Sequence, residues 1–268
     1  MTFIGGGNMA QAIIGGLVQK GFAAASINVV ELIDEQRARL GKELGVRAVA
    51  SAAEAAPFGE LVIMAVKPQQ MREAAQAVAP HLKNELVLSI AAGTRLKDLS
   101  RWLGGHAQLV RCMPNTPALV SAGVTGAYAA PAVSAAQREA ADRVLSAVGK
   151  VIWVDEERKL DPVTAVSGSG PAYVFYFMEA LEKAGTELGL TADQARTLAI
   201  ETFVGAAKLA AGSPDAPGTL REKVTSKGGT TEAALASMNA DRINDAIVRA
   251  VRAANQRAGQ LADELGKD

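Results

Sequence analysis

Two stretches of this chain combine glycine with hydrogen-bond donors in patterns that suit anions. The first is Val224-Thr225-Ser226-Lys227-Gly228-Gly229-Thr230-Thr231-Glu232, followed by the alanine-rich helical segment Ala233-Ala234-Leu235-Ala236. Paired glycines let the backbone turn several N–H groups toward one point. A helix N-terminus adds partial positive charge there, and Ser226, Thr230 and Thr231 add hydroxyl donors. A tight turn with Thr230 as an ordinary helix cap uses the same residues, so this run alone leaves both readings open. The second stretch, Ile4-Gly5-Gly6-Gly7-Asn8-Met9-Ala10, follows the short strand Thr2-Phe3-Ile4 and opens a helical pattern through Leu17 and Val18. It matches Gly-x-Gly-x-x-Gly/Ala: Gly5 for the turn, Gly7 for approach of a pyrophosphate to the backbone, Ala10 for close packing of helix on sheet.

Elements that would position this chemistry follow in order. The strand Ser26 to Val30 ends at Glu31, 21 positions beyond Ala10, where an acidic residue meets the adenosine ribose in dinucleotide sites; a solvated strand-end glutamate is the plainer alternative. A helix is expected from Glu35 to Leu44, a short strand over Val46–Val49, and a helix near Ala52–Ala55. Leu61 to Val66 reads as a strand buried on both faces. It ends at Ala65-Val66-Lys67-Pro68 and is followed by a helix over Gln69–Val78. Strands Leu86–Ile90 and Leu109–Met113 end at Ala91-Ala92-Gly93 and at Pro114-Asn115-Thr116-Pro117. Further strands are expected at Val124–Tyr128 and Lys150–Val154, flanking a helix Ala135–Val148. Alternating strands and helices predict an α/β, doubly wound sheet, with its candidate ligand groups at strand ends. Lys67 reads equally as a phosphate contact or a solvated lysine. Cys112 reads as a small core residue rather than a nucleophile.

Composition removes several function classes. The chain has 268 residues, 49% hydrophobic and 21% charged, with Lys+Arg and Asp+Glu equal at 28. No basic stripe invites nucleic acid. One cysteine excludes an internal disulfide, and His81 and His106 lack metal-type spacing, so no metal is expected. The glycines at 5–7 interrupt any signal-peptide core. Prolines and glycines break the uncharged stretch 112–137, so neither a membrane nor a spanning helix is expected, and the cytoplasm is the expected location.

After Asp155 the strand signals stop, which divides the chain into residues 1–155 and an all-α part, 156–268. Helices are expected over Glu156–Val166, Ala172–Leu188 and Ala192–Ala211, the last capped by Thr191. Thr219–Val224 and Ala240–Leu265 complete the set, and Ser167-Gly168-Ser169-Gly170-Pro171 reads as a loop. The uncharged run Pro162–Met178 and alanine-rich faces predict a homodimer made by this half, with intramolecular core as the alternative.

Taken together, these blocks resemble the pyrroline-5-carboxylate reductases, over essentially the whole chain. The resemblance rests on Gly5–Ala10, Ala65–Pro68, Ala91–Gly93, Met113–Pro117, Ser167–Tyr173 and above all Val224–Thr231 extended through Leu235, the family's signature. It implies a Rossmann domain followed by an all-α dimerisation domain like the C-terminal domain of 6-phosphogluconate dehydrogenase. Some members assemble further into decamers. The family reduces 1-pyrroline-5-carboxylate to proline with NAD(P)H, the last step of proline biosynthesis, in a site between nucleotide and helical domains that can involve the partner subunit. By this resemblance the cofactor contacts are Ile4, Gly5, Gly6, Gly7, Asn8, Met9, Ala10, Glu31, Ala65, Val66, Lys67, Pro68, Ala91, Ala92 and Gly93, with Asn115 and Thr116 near the nicotinamide. Ser226, Gly228, Gly229, Thr230 and Thr231 take the substrate carboxylate, and Ser169 and Gly170 shape the pocket. Thr231 and Ser226 are the catalytic candidates, Thr231 also reaching the ring nitrogen. If the imine binds protonated, reduction yields a neutral amine without a strong acid, which fits a site lacking histidine. Positioning and electrostatics would then carry catalysis.

One departure concerns the cofactor. NADPH is the family default, but Glu31 pointing inward would repel a 2′-phosphate, and Arg37 sits a turn into the next helix; NADH stays open. Competing readings are a reductase of a related cyclic imine, since one methylene is worth only ~1–3 kcal/mol; a 3-hydroxyacid dehydrogenase relative using Lys159 or Lys183; and a non-enzymatic NAD(P)-sensing protein.

Overall fold

The computed structural model describes residues 1–267. It contains two compact units, Met1–Ser169 with the segment from Ala254 onward, and Gly170–Ala253.

In the first unit the strands are β1 (Thr2–Ile4), β2 (Asn28–Val30), β3 (Arg47–Val49), β4 (Leu61–Met64), β5 (Leu86–Ser89), β6 (Leu109–Met113), β7 (Gly123–Ala129) and β8 (Gly149–Trp153). They form one sheet in the order β3-β2-β1-β4-β5-β6-β7-β8. The first six run parallel, β7 pairs antiparallel with β6, and β8 runs parallel to β7. From β1 the chain winds first toward β3 and then back through β4 to β6, so the strand order reverses between β1 and β4. In open α/β sheets, ligands bind at the carboxyl edge beside such a reversal.

Alternation along each strand sends side chains to two cores. Phe3, Ile63, Leu88 and Val110 pack with Ile13, Ile14 and Leu17 of α1 (Asn8–Gln19), with Leu40 of α2 (Asp34–Leu44) and with Val144 and Leu145 of α6 (Ala135–Leu145). Ile4, Val62, Met64 and Val87 face the other way. There they meet Ala52 and Ala55 of α3 (Ala52–Ala55), Met71, Ala75 and Val78 of α4 (Met71–Val78) and Leu96, Leu99 and Trp102 of α5 (Leu96–Trp102). Burial on both faces explains why β4 and β5 are unbroken aliphatic runs.

The segment after β8 corrects one expectation. A short 3₁₀ turn (Glu157–Lys159) leads into α7 (Leu160–Val163), then a π-helical turn, Thr164–Gly168, and then α8 (Gly170–Glu187). Ser167–Pro171 is therefore not a loop. Thr164 Oγ1 donates to Leu160 O at 2.7 Å and Ser167 Oγ to Val163 O at 2.9 Å, while Ser169 N–H reaches back to Thr164 O at 2.8 Å. These bonds keep the chain helical through a Ser-Gly-Ser-Gly sequence, and Pro171 falls in the first turn of α8, where its missing N–H costs nothing.

The second unit holds α8, α9 (Ala192–Gly212), α10 (Pro217–Lys223), α11 (Thr230–Ala240) and the first part of α12 (Ile243–Leu265). Thr191 caps α9 in a capping box with Gln194. The last helix, expected from about Ala240, starts at Ile243, after a turn at Asp241–Arg242 in which Arg242 takes a left-handed φ of 53°. Among its described residues, only Ala195 and Ala199 are buried hydrophobics, while Leu181, Leu188, Leu198, Leu209 and Met238 lie exposed. No helix among the described residues is long and apolar enough to cross a membrane.

Candidate active site

The carboxyl edge of the sheet gathers most of the expected dinucleotide residues. Gly5 has φ +100°, a conformation that other residues rarely adopt, and its N–H donates to Val30 O at 2.8 Å. A Cβ there would lie 2.9 Å from Ala65 O. The loops after β1 and β4 thus meet at the strand-order reversal, and Ala65, Val66, exposed Lys67 and Pro68 border it. Gly7 is the N-cap of α1 with no side-chain cap, and a Cβ there would meet nothing within 4 Å. Open space therefore faces the helix N-terminus, whose first N–H groups have no carbonyl partner within the helix. Asn8 is exposed, Met9 half-buried, and Ala10 fully buried against the sheet. These features fit the pyrophosphate of a dinucleotide.

Glu31 is held inward. Its Oε2 accepts the Gly6 N–H at 3.1 Å and its Oε1 the Ile33 N–H at 3.0 Å. Arg37 does not turn toward the open site: Nη1 donates to Glu31 O at 2.6 Å, and Nη2 pairs with Asp34. Gln11 was not foreseen. Its Nε2 donates to Gly6 O at 2.7 Å and its Oε1 accepts from Arg39 at 3.0 Å, which braces the glycine turn. A glutamine one position past the motif carries no signal that would single it out.

At the far end of the edge, Ala91-Ala92-Gly93 is backed by the close of α12. A Cβ on Gly93 would lie 2.9 Å from Leu265 Cδ1 and 3.3 Å from Leu261 Cγ. Arg95 pairs with Asp263 at 2.6 Å, and Arg101 donates to Gly266 O at 3.1 Å. Asn115 is buried, and its side chain is occupied by the fold. Its Oδ1 accepts Val124 N–H at 2.9 Å and its Nδ2 donates to Ser167 O at 3.2 Å. Gly168 lies so near the end of β6 that a methyl on it would sit 2.5 Å from Met113 Cε. The π turn and Ser169 are thereby anchored beside the sheet's carboxyl edge, while Thr116 is exposed there. Cys112 is buried, and burial pushes its thiol pKa well above the ordinary value, so it is no nucleophile.

In the second unit, Gly229 rather than Thr230 is the N-cap of α11, so the plain-cap reading of Thr230 is corrected. Gly228 supplies a left-handed φ of +74°, and the Gly229 N–H closes the turn on Ser226 O at 3.0 Å. The Gly228 N–H already donates to a carboxylate, Glu232 Oε2, at 2.6 Å. Thr230, Thr231 and Glu232 begin the helix, where N–H groups lack carbonyl acceptors. Thr231 and Gly229 are half-buried; Ser226, Gly228 and Thr230 are exposed.

Comparison with known proteins decides the family. Residues 157–261 match the family described as pyrroline-5-carboxylate reductase dimerisation, and residues 1–93 match NADP oxidoreductase, coenzyme F420-dependent. A pyrroline-5-carboxylate reductase of Pseudomonas aeruginosa is 48% identical over 268 residues, covering 100% of this chain and 98% of its own. This chain belongs to the pyrroline-5-carboxylate reductases. The reductase of Pasteurella multocida is 41% identical over 97% of both chains. The solved reductase from Coxiella burnetii is 38% identical, superposes with a TM-score of 0.92 and covers 97% of each chain. A Plasmodium falciparum pyrroline carboxylate reductase, solved with NADP bound, shares the fold at a TM-score of 0.85 and 24% identity, again over 97% of each. Within the pyrroline-5-carboxylate reductases, then, the sheet is the nucleotide-binding part and the helices are the dimerisation part.

Proposed function

We propose that this chain reduces 1-pyrroline-5-carboxylate to L-proline, the last step of proline biosynthesis, in the cytoplasm. The observation that carries the reading is the presence of two separate helix starts without side-chain caps, each preceded by a glycine turn, in a chain related to these reductases along its full length. One is the uncapped N-terminus of α1 with open space at Gly7; the other is the glycine turn at α11. When bound, a nicotinamide dinucleotide supplies the hydride that goes to the imine carbon. The family default is NADPH, and NADH fits the same cradle.

Ile4 through Ala10 hold the pyrophosphate and Glu31 the adenosine ribose. Ala65–Pro68, Ala91–Gly93, Asn115 and Thr116 border the nicotinamide half. Ser226, Gly229, Thr230 and Thr231 hold the substrate carboxylate, with Gly228 setting the turn, and Ser169 and Gly170 shape the pocket. The Gly228 N–H donates to Glu232 Oε2 at 2.6 Å, so the incoming carboxylate falls to the hydroxyls of Thr230 and Thr231 and to the N–H groups of the helix start. The Thr231 hydroxyl contacts the ring nitrogen. A protonated imine is already an electrophile, so these residues need only orient it and stabilise charge.

In functional terms residues 1–155 bind the nucleotide and residues 156–268 bind substrate and dimerise. Exposed Leu181, Leu188, Leu198 and Leu209, beside so few buried hydrophobics, call for a second copy to complete the core of the helical unit. Decamers are a further assembly open to such a dimer. The test is direct: pyrroline-5-carboxylate is supplied with NADH and with NADPH, and proline formation is measured. Cofactor binding with no turnover on any cyclic imine carboxylate would refute the reading.

A further inference from the structure

From the geometry around Glu31 we infer that this enzyme discriminates against the 2′-phosphate and takes NADH in preference to NADPH, an inference that rests on the dinucleotide reading above. Three observations point the same way. First, the Glu31 carboxylate is fixed by two backbone N–H groups, one on the glycine turn and one beyond β2. A side chain tethered at both oxygens cannot swing aside for a phosphate without breaking both bonds. Its remaining lone pairs still accept hydrogen bonds, as ribose hydroxyls require.

Second, the cations nearby are engaged elsewhere. Arg37 is turned onto Glu31 O and Asp34. Arg39 reaches Gln11 at 3.0 Å and Glu43 at 3.6 Å. Lys67, at the same sheet edge, follows β4, two strands over from β2. Asp34 and Glu35 add negative charge in the first turn of α2. A 2′-phosphate would enter a neighbourhood of carboxylates.

Third, Leu32 and Ile33 follow Glu31 and are 73% and 59% exposed. Apolar side chains this open, directly beyond a ribose-binding acid, offer a flank for the adenine ring. They stand where a phosphate-binding site would place basic or hydroxyl residues.

The experiment is isothermal titration of the intact enzyme with NAD⁺ and with NADP⁺, alongside kcat/KM for NADH and NADPH. A phosphate carrying close to two charges beside a fixed carboxylate, even at high dielectric, corresponds to about 30-fold in affinity. NAD⁺ should therefore bind about 30-fold tighter than NADP⁺, and the gap should narrow as salt is raised. Glu31→Gln keeps a hydrogen-bonding side chain but removes the charge, and should shrink the gap at least about fivefold, mainly by tightening NADP⁺. Equal or tighter NADP⁺ binding by the unaltered enzyme, or an unchanged ratio in Glu31→Gln, overturns the inference. Failure of both dinucleotides to bind overturns the underlying reading of the site instead.

Discussion

Arg111 offers a test of how the sheet and the segment after it are locked together. It lies in β6, 4% exposed, with Nη1 3.2 Å from Glu157 Oε1 and Nη2 3.5 Å from Asp161 Oδ1. Glu157 Oε1 also accepts the Leu96 N–H at 2.8 Å, the first N–H of α5. Asp161 Oδ1 is buried without a hydrogen-bond partner among the described residues, so Arg111 is the charge that compensates it. Arg111→Met fills similar volume but strands two carboxylates. Removing one partner of a buried pair costs about 3–5 kcal/mol. Here the carboxylate side chains keep 25% and 19% exposure, so water takes part of the charge and the low end, about 3 kcal/mol, applies. With a urea m-value of about 2 kcal/mol per molar, the midpoint should fall by about 1.5 M. Trp102 and Trp153 both belong to the sheet-bearing unit, so tryptophan fluorescence follows this unfolding. The triple variant Arg111→Met, Glu157→Gln, Asp161→Asn removes the stranded charges and should recover at least about half of the loss. A single-variant shift under about 0.5 M, or a triple variant no better than the single, would mean that Arg111 acts through packing alone.

Thr231→Ala should lower kcat by about 10- to 100-fold, the value of one hydrogen bond to a charged group, while dinucleotide affinity changes less than about twofold; unchanged turnover would remove Thr231 from the reaction. Cys112 is predicted to resist alkylation at pH 8 in the folded enzyme and to react in denaturant, because its thiol is buried with a raised pKa. Rapid labelling of the native protein would contradict its placement in the core. Light scattering at micromolar concentration should give at least twice the chain mass, since the helical unit exposes the leucines a second copy would cover; a monomer would sink the dimer.

The sheet and the turns at its carboxyl edge were legible because two-sided burial writes itself as aliphatic runs, Leu61–Met64 and Leu86–Ser89, and because each run stops at a turn. The glycine fingerprint was legible for the same reason: strand, glycine turn and helix follow one another without a gap. What was hidden depended on partners distant in sequence. No expectation covered α5, whose entry is uncapped by its own residues and is completed by Glu157, 61 positions downstream. Ser167–Pro171 has the composition of a loop, yet hydroxyl bonds to carbonyls four residues back and the fit of Gly168 against Met113 hold it helical. The turn at Asp241–Arg242 carries neither glycine nor proline, so nothing in its composition marks that α12 begins at Ile243 rather than at about Ala240.

The same distinction bears on the catalytic design. A motif residue announces itself by type, but whether its donors are free is a question of geometry. Asn115 has the right type and position for a ligand contact, yet both ends of its amide already serve Val124 and Ser167. It acts by fixing the π turn to the end of β6, so its replacement should disturb pocket shape rather than remove a ligand bond. Gly228 likewise spends its N–H on Glu232, so in the proposed carboxylate site it is Thr230, Thr231 and the helix start that have donors to offer. Glu31 is the converse: its tethering to Gly6 and Ile33 uses one contact per oxygen and turns a flexible side chain into a fixed charge. The proposed site includes no histidine and would rely on such fixed partial and full charges. Its selectivity should therefore respond more to salt and to charge-neutral substitution than to pH near neutrality.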